Sequence, residues 1–244
     1  MISLGRRLAA EALGSLLLAA TVIGSGIMAE RLADGNAAIA LLANTAATVA
    51  VLAVLIALLA RVSGAHFNPA ITLIMALQRK LTMADAGLYA AVQALGCCLG
   101  AVLANVMFEL PPVQVSGNVR TGGAQWLAEF VATAGLVIVV TGARPRHVAW
   151  MVAGWIGAAY WFTASTSFAN PAITLARSLS DTFAGVRPVD IPAFVTAQVL
   201  GALAALGVGA FLFKTRSAAG NAGLSAPCRD RLKKTGHDRR HLVP

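Results

Sequence analysis

The sequence predicts an all-α membrane protein built as an inverted repeat, and three observations carry that prediction. Charged residues are 12% of the 244 and apolar residues 58%, against roughly 25% and 45–50% in soluble domains. The charges fall in gaps between long uncharged runs. A short ordered set of polar residues occurs twice. With a mean hydropathy of +0.74, lipid rather than water is the solvent for most of the surface. A disordered chain, a secreted disulfide scaffold and an ordinary soluble enzyme are excluded. Cys97, Cys98 and Cys228 are too few and too badly placed for a disulfide framework or a zinc site. No cofactor or metal site is expected.

Uncharged stretches occupy 12–29, 35–60, 86–108, 147–176 and 191–213, and 121–143 is broken only by Glu129. A spanning helix needs about 20 apolar residues. Six spans are therefore predicted, at 10–29, 38–60, 84–108, 126–143, 147–166 and 191–213. The first is read as a retained span rather than a cleaved signal: it is long, lacks a small-residue cleavage site and carries Glu11.

Two uncharged runs are surplus to those spans, 62–78 and the tail of 147–176. Each contains Asn-Pro-Ala, as Asn68-Pro69-Ala70 and Asn170-Pro171-Ala172. Asn is a favoured N-cap, and proline is tolerated at the start of a helix because its missing N–H would be unpaired there anyway. About eleven residues follow each box, which at 1.5 Å per residue is about 16 Å, half a bilayer. Two half-membrane helices starting at mid-depth are predicted. Irregular backbone at that depth must be buried in protein or line a wet cavity.

Orientation follows from Lys and Arg. With the N-terminus inside, fifteen of the nineteen lie on the cytoplasmic side, and Arg31, Arg120, Arg177 and Arg187 lie on the other, in accord with the positive-inside rule. The net charge of +9 is thus topological, and nucleic acid is not an expected partner. One channel-like domain is expected at 1–213. The basic, Gly/Ser/Ala-rich segment 214–244 is expected to be a disordered cytoplasmic tail, with contact to anionic lipid as the alternative.

The repeat is direct to read. Asn68-Pro69-Ala70-Ile71-Thr72 recurs as Asn170-Pro171-Ala172-Ile173-Thr174. Gln93-Ala94-Leu95-Gly96 recurs as Gln198-Val199-Leu200-Gly201, and Ala10-Glu11 as Ala128-Glu129. Each half, about 1–110 and 120–213, has three spans. An odd number makes the halves opposite in orientation, which places a shared site near the bilayer midplane.

These residues resemble the aquaporin and aquaglyceroporin (major intrinsic protein) family over residues 5–213. The resemblance implies a right-handed bundle of six tilted helices plus two half-helices, one pore per subunit and a homotetramer in the membrane. It implies passive passage of small uncharged solutes and water. Asn68 and Asn170 would present amide donors at the midplane, where two positive helix ends repel cations; each Asn as a mere N-cap is the alternative. Carbonyls of Gly64, Ala65 and His66, and of the segment with Phe168 and Ala169, would form a staircase of acceptors. Glu11 and Glu129, costly inside a membrane, are assigned to loop backbone N–H groups. Gln93 and Gln198 either share that work or join helices. Gly24, Gly26, Gly96, Gly100, Gly201 and Gly207 read as close helix contacts.

The family's outer constriction, counted without gaps, falls on Thr48, Ala158, Ser167 and Ile173. The usual aromatic and the usual arginine are both missing from these places, so the count implies a wide filter. Arg177, one helical turn beyond Ile173, is a candidate for the outer vestibule, or it snorkels outward. Ala176-Arg177, Asp181-Thr182-Phe183-Ala184-Gly185 and Arg187-Pro188 resemble a bacterial branch associated with arsenic resistance, which implies arsenite or a polyol as solute and the inner membrane as location. A water-selective pore is the alternative, and a secondary transporter using Glu11 or Glu129 is a more distant one. An enzyme finds no nucleophile–base pair, and a junctional role without flux is the remaining class.

Overall fold

The computed structural model describes residues 2–213; the tail expectation for 214–244 lies outside them. The described residues form eight α-helices: α1 (Leu4–Leu32), α2 (Ala37–Ser63), α3 (Pro69–Leu77), α4 (Met83–Met107), α5 (Gly123–Gly142), α6 (Val148–Phe162), α7 (Pro171–Arg177) and α8 (Ile191–Phe213), the last preceded by a 3-10 turn at Pro188–Asp190. Helices α1, α2, α4, α5 and α8 are long and apolar enough to cross a membrane. Helix α6 is shorter than its predicted span of 147–166. It stops at Phe162, where the Thr163 N–H and Oγ1 both donate to the Ala159 carbonyl, and beyond it Ser165 Oγ accepts from the Ser167 N–H.

The caps are local. Asn36 accepts from the N–H groups of Ala38 and Ile39 at the start of α2, and Thr82 accepts from Asp85 N at the start of α4. Half-helices α3 and α7 have 9 and 7 residues, somewhat shorter than the eleven expected.

The two halves pack alike. Helix α4 lies against α1, and α8 against α5. The close approach needs glycine: a Cβ on Gly96 would lie 2.4 Å from the Ala12 carbonyl oxygen, and one on Gly201 2.3 Å from that of Phe130. Gly100 meets Leu16 O in the same way, and Gly24 and Gly26 face Phe108 and Ala184. Gly207 departs from expectation. It is exposed, with nothing within 4 Å of the place a Cβ would take, so it is not a helix contact. Large apolar side chains such as Leu13, Leu58, Leu95, Leu127 and Phe211 cover the outside. Trp126, Trp150 and Trp161 are exposed near helix ends, the depth at which amphipathic rings sit in a bilayer interface.

Candidate functional site: a braced pore between two half-helices

The site begins with two carboxylates that have no exposure at all. Glu11 accepts from Ser63 Oγ at 2.6 Å, His66 N at 3.0 Å, Phe67 N at 2.7 Å and Gln93 Nε2 at 2.8 Å. Glu129 accepts from Phe168 N and Ala169 N, both at 2.9 Å, and from Gln198 Nε2 at 2.6 Å. Burying a carboxylate costs several kcal/mol; hydrogen bonds to a charged acceptor return about 1.5–3 kcal/mol each. The glutamines bridge onward. Gln93 donates to Thr72 Oγ1 at 2.9 Å and Gln198 to Thr174 Oγ1 at 2.8 Å, so each carboxylate ties a loop to its half-helix.

Those loops need the support. Gly64, Ala65 and Phe67 have φ of 96°, 51° and 48°, and Thr166, Ser167 and Ala169 have 59°, 50° and 47°. A left-handed non-glycine residue costs roughly 1–2 kcal/mol. Because this backbone departs from a ladder geometry, most of the loop carbonyls are left free. Those of Gly64, Ala65 and His66, and of Thr166, Ser167 and Phe168, accept no hydrogen bond from the described residues.

The half-helices meet head to head. Asn68 Oδ1 accepts from Ala70 N at 2.9 Å, and Asn170 Oδ1 from Ala172 N at 3.0 Å. Each amide also crosses to the other loop: Asn68 Nδ2 donates to the Ala169 carbonyl and Asn170 Nδ2 to the Phe67 carbonyl, both at 2.7 Å. The asparagines are therefore caps and cross-braces at once. One N–H per amide remains beyond these bonds, and both side chains line the cavity.

That cavity measures about 480 Å³. Gly64, Ala65, His66, Asn68, Ser167, Phe168, Ala169, Asn170, Thr48, Ile173 and Arg177 all line it. Pro69 and Pro171 open the half-helices, and Ala70 and Ala172 are packed in the core behind. Opposite the loop carbonyls stands an apolar wall of Leu18, Val22, Leu52, Ile56, Leu136, Val152 and Ile156.

Ala158 must be corrected. It lies with Gly154, Trp161 and Phe162 on the exposed stripe of α6 and does not line the cavity. Val152, Ile156 and Tyr160, at i, i+4 and i+8, face inward instead. Tyr160 thus supplies an aromatic that the count denied, its hydroxyl 3.3 Å from Thr48 Oγ1. The count failed because it crossed an irregular loop, 163–169, whose length the ruler ignores; helical register would have found Tyr160. The end of the cavity beside the start of α1 was also missed. Arg7 pairs with Asp85 at 2.9 Å and donates to Tyr89 Oη at 2.9 Å, and Tyr89 donates to the Ser63 carbonyl. His66 Nδ1 lies 3.1 Å from Thr72 Oγ1.

Arg177 does not snorkel. It is 2% exposed, its guanidinium lies 3.5 Å from the Phe168 ring centroid, and Nε donates to the Ala184 carbonyl.

Known proteins share this pattern. The profile of the family described as Major intrinsic protein matches residues 1–147. "Aquaglyceroporin AqpS" of Rhizobium meliloti (strain 1021) is 52% identical over 206 residues, covering 83% of this chain and 88% of that protein. "Probable aquaporin PIP2-8" of Oryza sativa subsp. japonica is 33% identical over 141 residues, 57% of this chain and 49% of that protein. The solved structure of the aquaglyceroporin from Plasmodium falciparum superimposes with a TM-score of 0.67 at 19% identity, over 86% of this chain and 97% of that one, which shows a shared fold.

Proposed function

Because the chain belongs to the major intrinsic protein family, we propose that it is a passive channel of the aquaglyceroporin type for small uncharged hydroxylated solutes, arsenite and glycerol among them, and that water also passes. One observation carries this reading. A cavity with a file of free carbonyls and two amides on one side has a continuous apolar wall on the other. A polyol or trihydroxy solute is amphipathic in the same sense. Its hydroxyls exchange water for carbonyls while its apolar edge faces the wall, so little is lost on desolvation. Cations meet two facing half-helix N-termini, each roughly half a positive charge.

We place the constriction at Thr48, Tyr160, Ser167 and Ile173, with Arg177 outside it. A water-selective pore is the second reading, favoured by the reach of Tyr160 across to Thr48. The basic cytoplasmic side supports an inner-membrane orientation with both termini inside, and the family supports a homotetramer in lipid. The test is light scattering by proteoliposomes with water, glycerol and a larger polyol, together with arsenite uptake. Water and glycerol should pass and arsenite should follow its gradient. Water flux without glycerol or arsenite flux would establish the second reading instead.

A further inference from the structure

Two arginines, buried Arg177 and half-buried Arg120, lie at the outer end of this fold, and neither has a carboxylate partner. The ion pairs among the described residues are Arg7–Asp85 and Arg187–Asp190. Four carboxylates on that side are engaged elsewhere, and Asp34 and Glu109 are exposed. Glu129 holds its loop, Asp190 accepts from the Arg120 backbone N–H and from Arg187, Asp181 accepts from Gly117 N, and Glu30 accepts from Phe183 N. No acidic residue lines the cavity.

The two cations are not equivalent. Arg120 donates to the carbonyls of Gly185, Ser165 and Phe183, so its donors are largely used. Arg177 donates only from Nε, to Ala184, and its two Nη groups have no partner among the described residues. Both guanidinium groups lie over the Phe168 ring, at 5.1 Å and 3.5 Å from its centroid, a favourable contact for each but not a counter-charge. A second group nearby is also unmet: Ser167 Oγ is buried without a hydrogen-bond partner, in a residue 2% exposed that lines the same cavity.

The Asp181–Gly185 turn holds this arrangement. Consecutive carbonyls of Phe183, Ala184 and Gly185 take the two arginines. The preceding strap is laced to it through Asn118 Nδ2 to Thr182 O and Gly117 N to Asp181 Oδ1. A Cβ on Gly185 would lie 2.2 Å from Ser116 Oγ, so the turn and strap are in register.

A buried charge calls for a partner, and a guanidinium presents its free donors as a planar fork that fits two oxygens side by side. We infer that the outer end of the cavity is a binding site for a small planar oxyanion, held by the Nη groups of Arg177 with Ser167 Oγ donating to a further oxygen. Neutral hydroxylated solutes use the same donors in passing, so an anion held there obstructs them. Obstruction rests on the channel reading; binding does not.

Nitrate is the probe, at ionic strength matched with chloride. Purified full-length protein in detergent should bind nitrate saturably by calorimetry and show a melting temperature that rises with nitrate over chloride. Arg177→Gln should abolish both responses and Arg177→Lys should retain the weaker binding of a charge without a fork, on the order of tenfold poorer. In proteoliposomes with nitrate on both faces, wild-type glycerol flux should fall severalfold. No nitrate-specific binding by the wild type, or equal binding by a folded Arg177→Gln protein, overturns the site. Nitrate binding by a protein that passes no solute keeps the site and removes the channel. Solute flux without nitrate binding does the reverse.

Discussion

The two halves of the pore are built on the same brace and finished with different mouths. In both, a buried glutamate holds two loop N–H groups and a glutamine joins it to a half-helix threonine. Left-handed residues recur at the same steps, 64, 65 and 67 against 166, 167 and 169. At the Arg7 end one cation is paired, Arg7 with Asp85, while Lys80 lines the cavity outside any ion pair among the described residues. At the other end Arg177 is deeper and has no acidic partner among the described residues. The duplicated part solves a folding problem that both halves share, how to keep irregular backbone inside a membrane. The unduplicated part can then vary without endangering it.

The sharpest way to break the shared brace is to remove its carboxylates. Glu11→Ala and Glu129→Ala should each cost on the order of 3–5 kcal/mol, as for a buried charged group's lost partner, read as thermal melting in detergent. Glu11→Ala should be the worse, since Glu11 accepts four bonds and Glu129 three. A brace that is equivalent only on paper would leave one variant near wild-type stability.

Helix packing offers a smaller and equally symmetric test. Gly96→Ala and Gly201→Ala drive a methyl into a backbone carbonyl and should each destabilise by about 1–3 kcal/mol. Gly207→Ala, in open space, should instead be stabilising, by up to about 1 kcal/mol of helix propensity. Equal melting shifts at all three positions would remove the distinction between contact and surface glycine.

The difference between the mouths is sharpened at Ile173. Ile173→Arg puts a second guanidinium one turn inside Arg177 and narrows the lumen. Glycerol flux should fall on the order of tenfold, the effect of about 1.4 kcal/mol of added barrier, while water passage continues. Unchanged glycerol flux in a normally inserted protein would remove Ile173 from the constriction. The smallest effect is expected from Ala158→Leu. On the exposed stripe of α6 it should leave glycerol flux at the wild-type value, whereas Tyr160→Ala should alter the ratio of glycerol to water flux. An Ala158→Leu protein with the flux defect of a filter variant would restore the gapless count.

Most of the architecture was legible because its causes are local. Charge-free runs set where lipid can be crossed, Asn-Pro-Ala starts a helix by capping and by a proline that needs no donor, and a lone Glu in an apolar run has to find buried N–H groups. Order and recurrence of those residues disclosed the inverted repeat without any distance. What only the tertiary structure decided lies where the chain leaves a regular period or where a neighbour sets the outcome. Helix α6 ended early, at Phe162, and the irregular stretch after it broke the count that placed Ala158 in the pore and overlooked Tyr160. Gly201 belongs to the repeat and Gly207 does not, but only the position of Phe130 makes the first a contact. Arg177 could equally have turned outward. It is held inward by the Ala184 carbonyl and the Phe168 ring, and the backbone of a turn seven residues away and the face of a folded-back loop have no signature in the residues next to it.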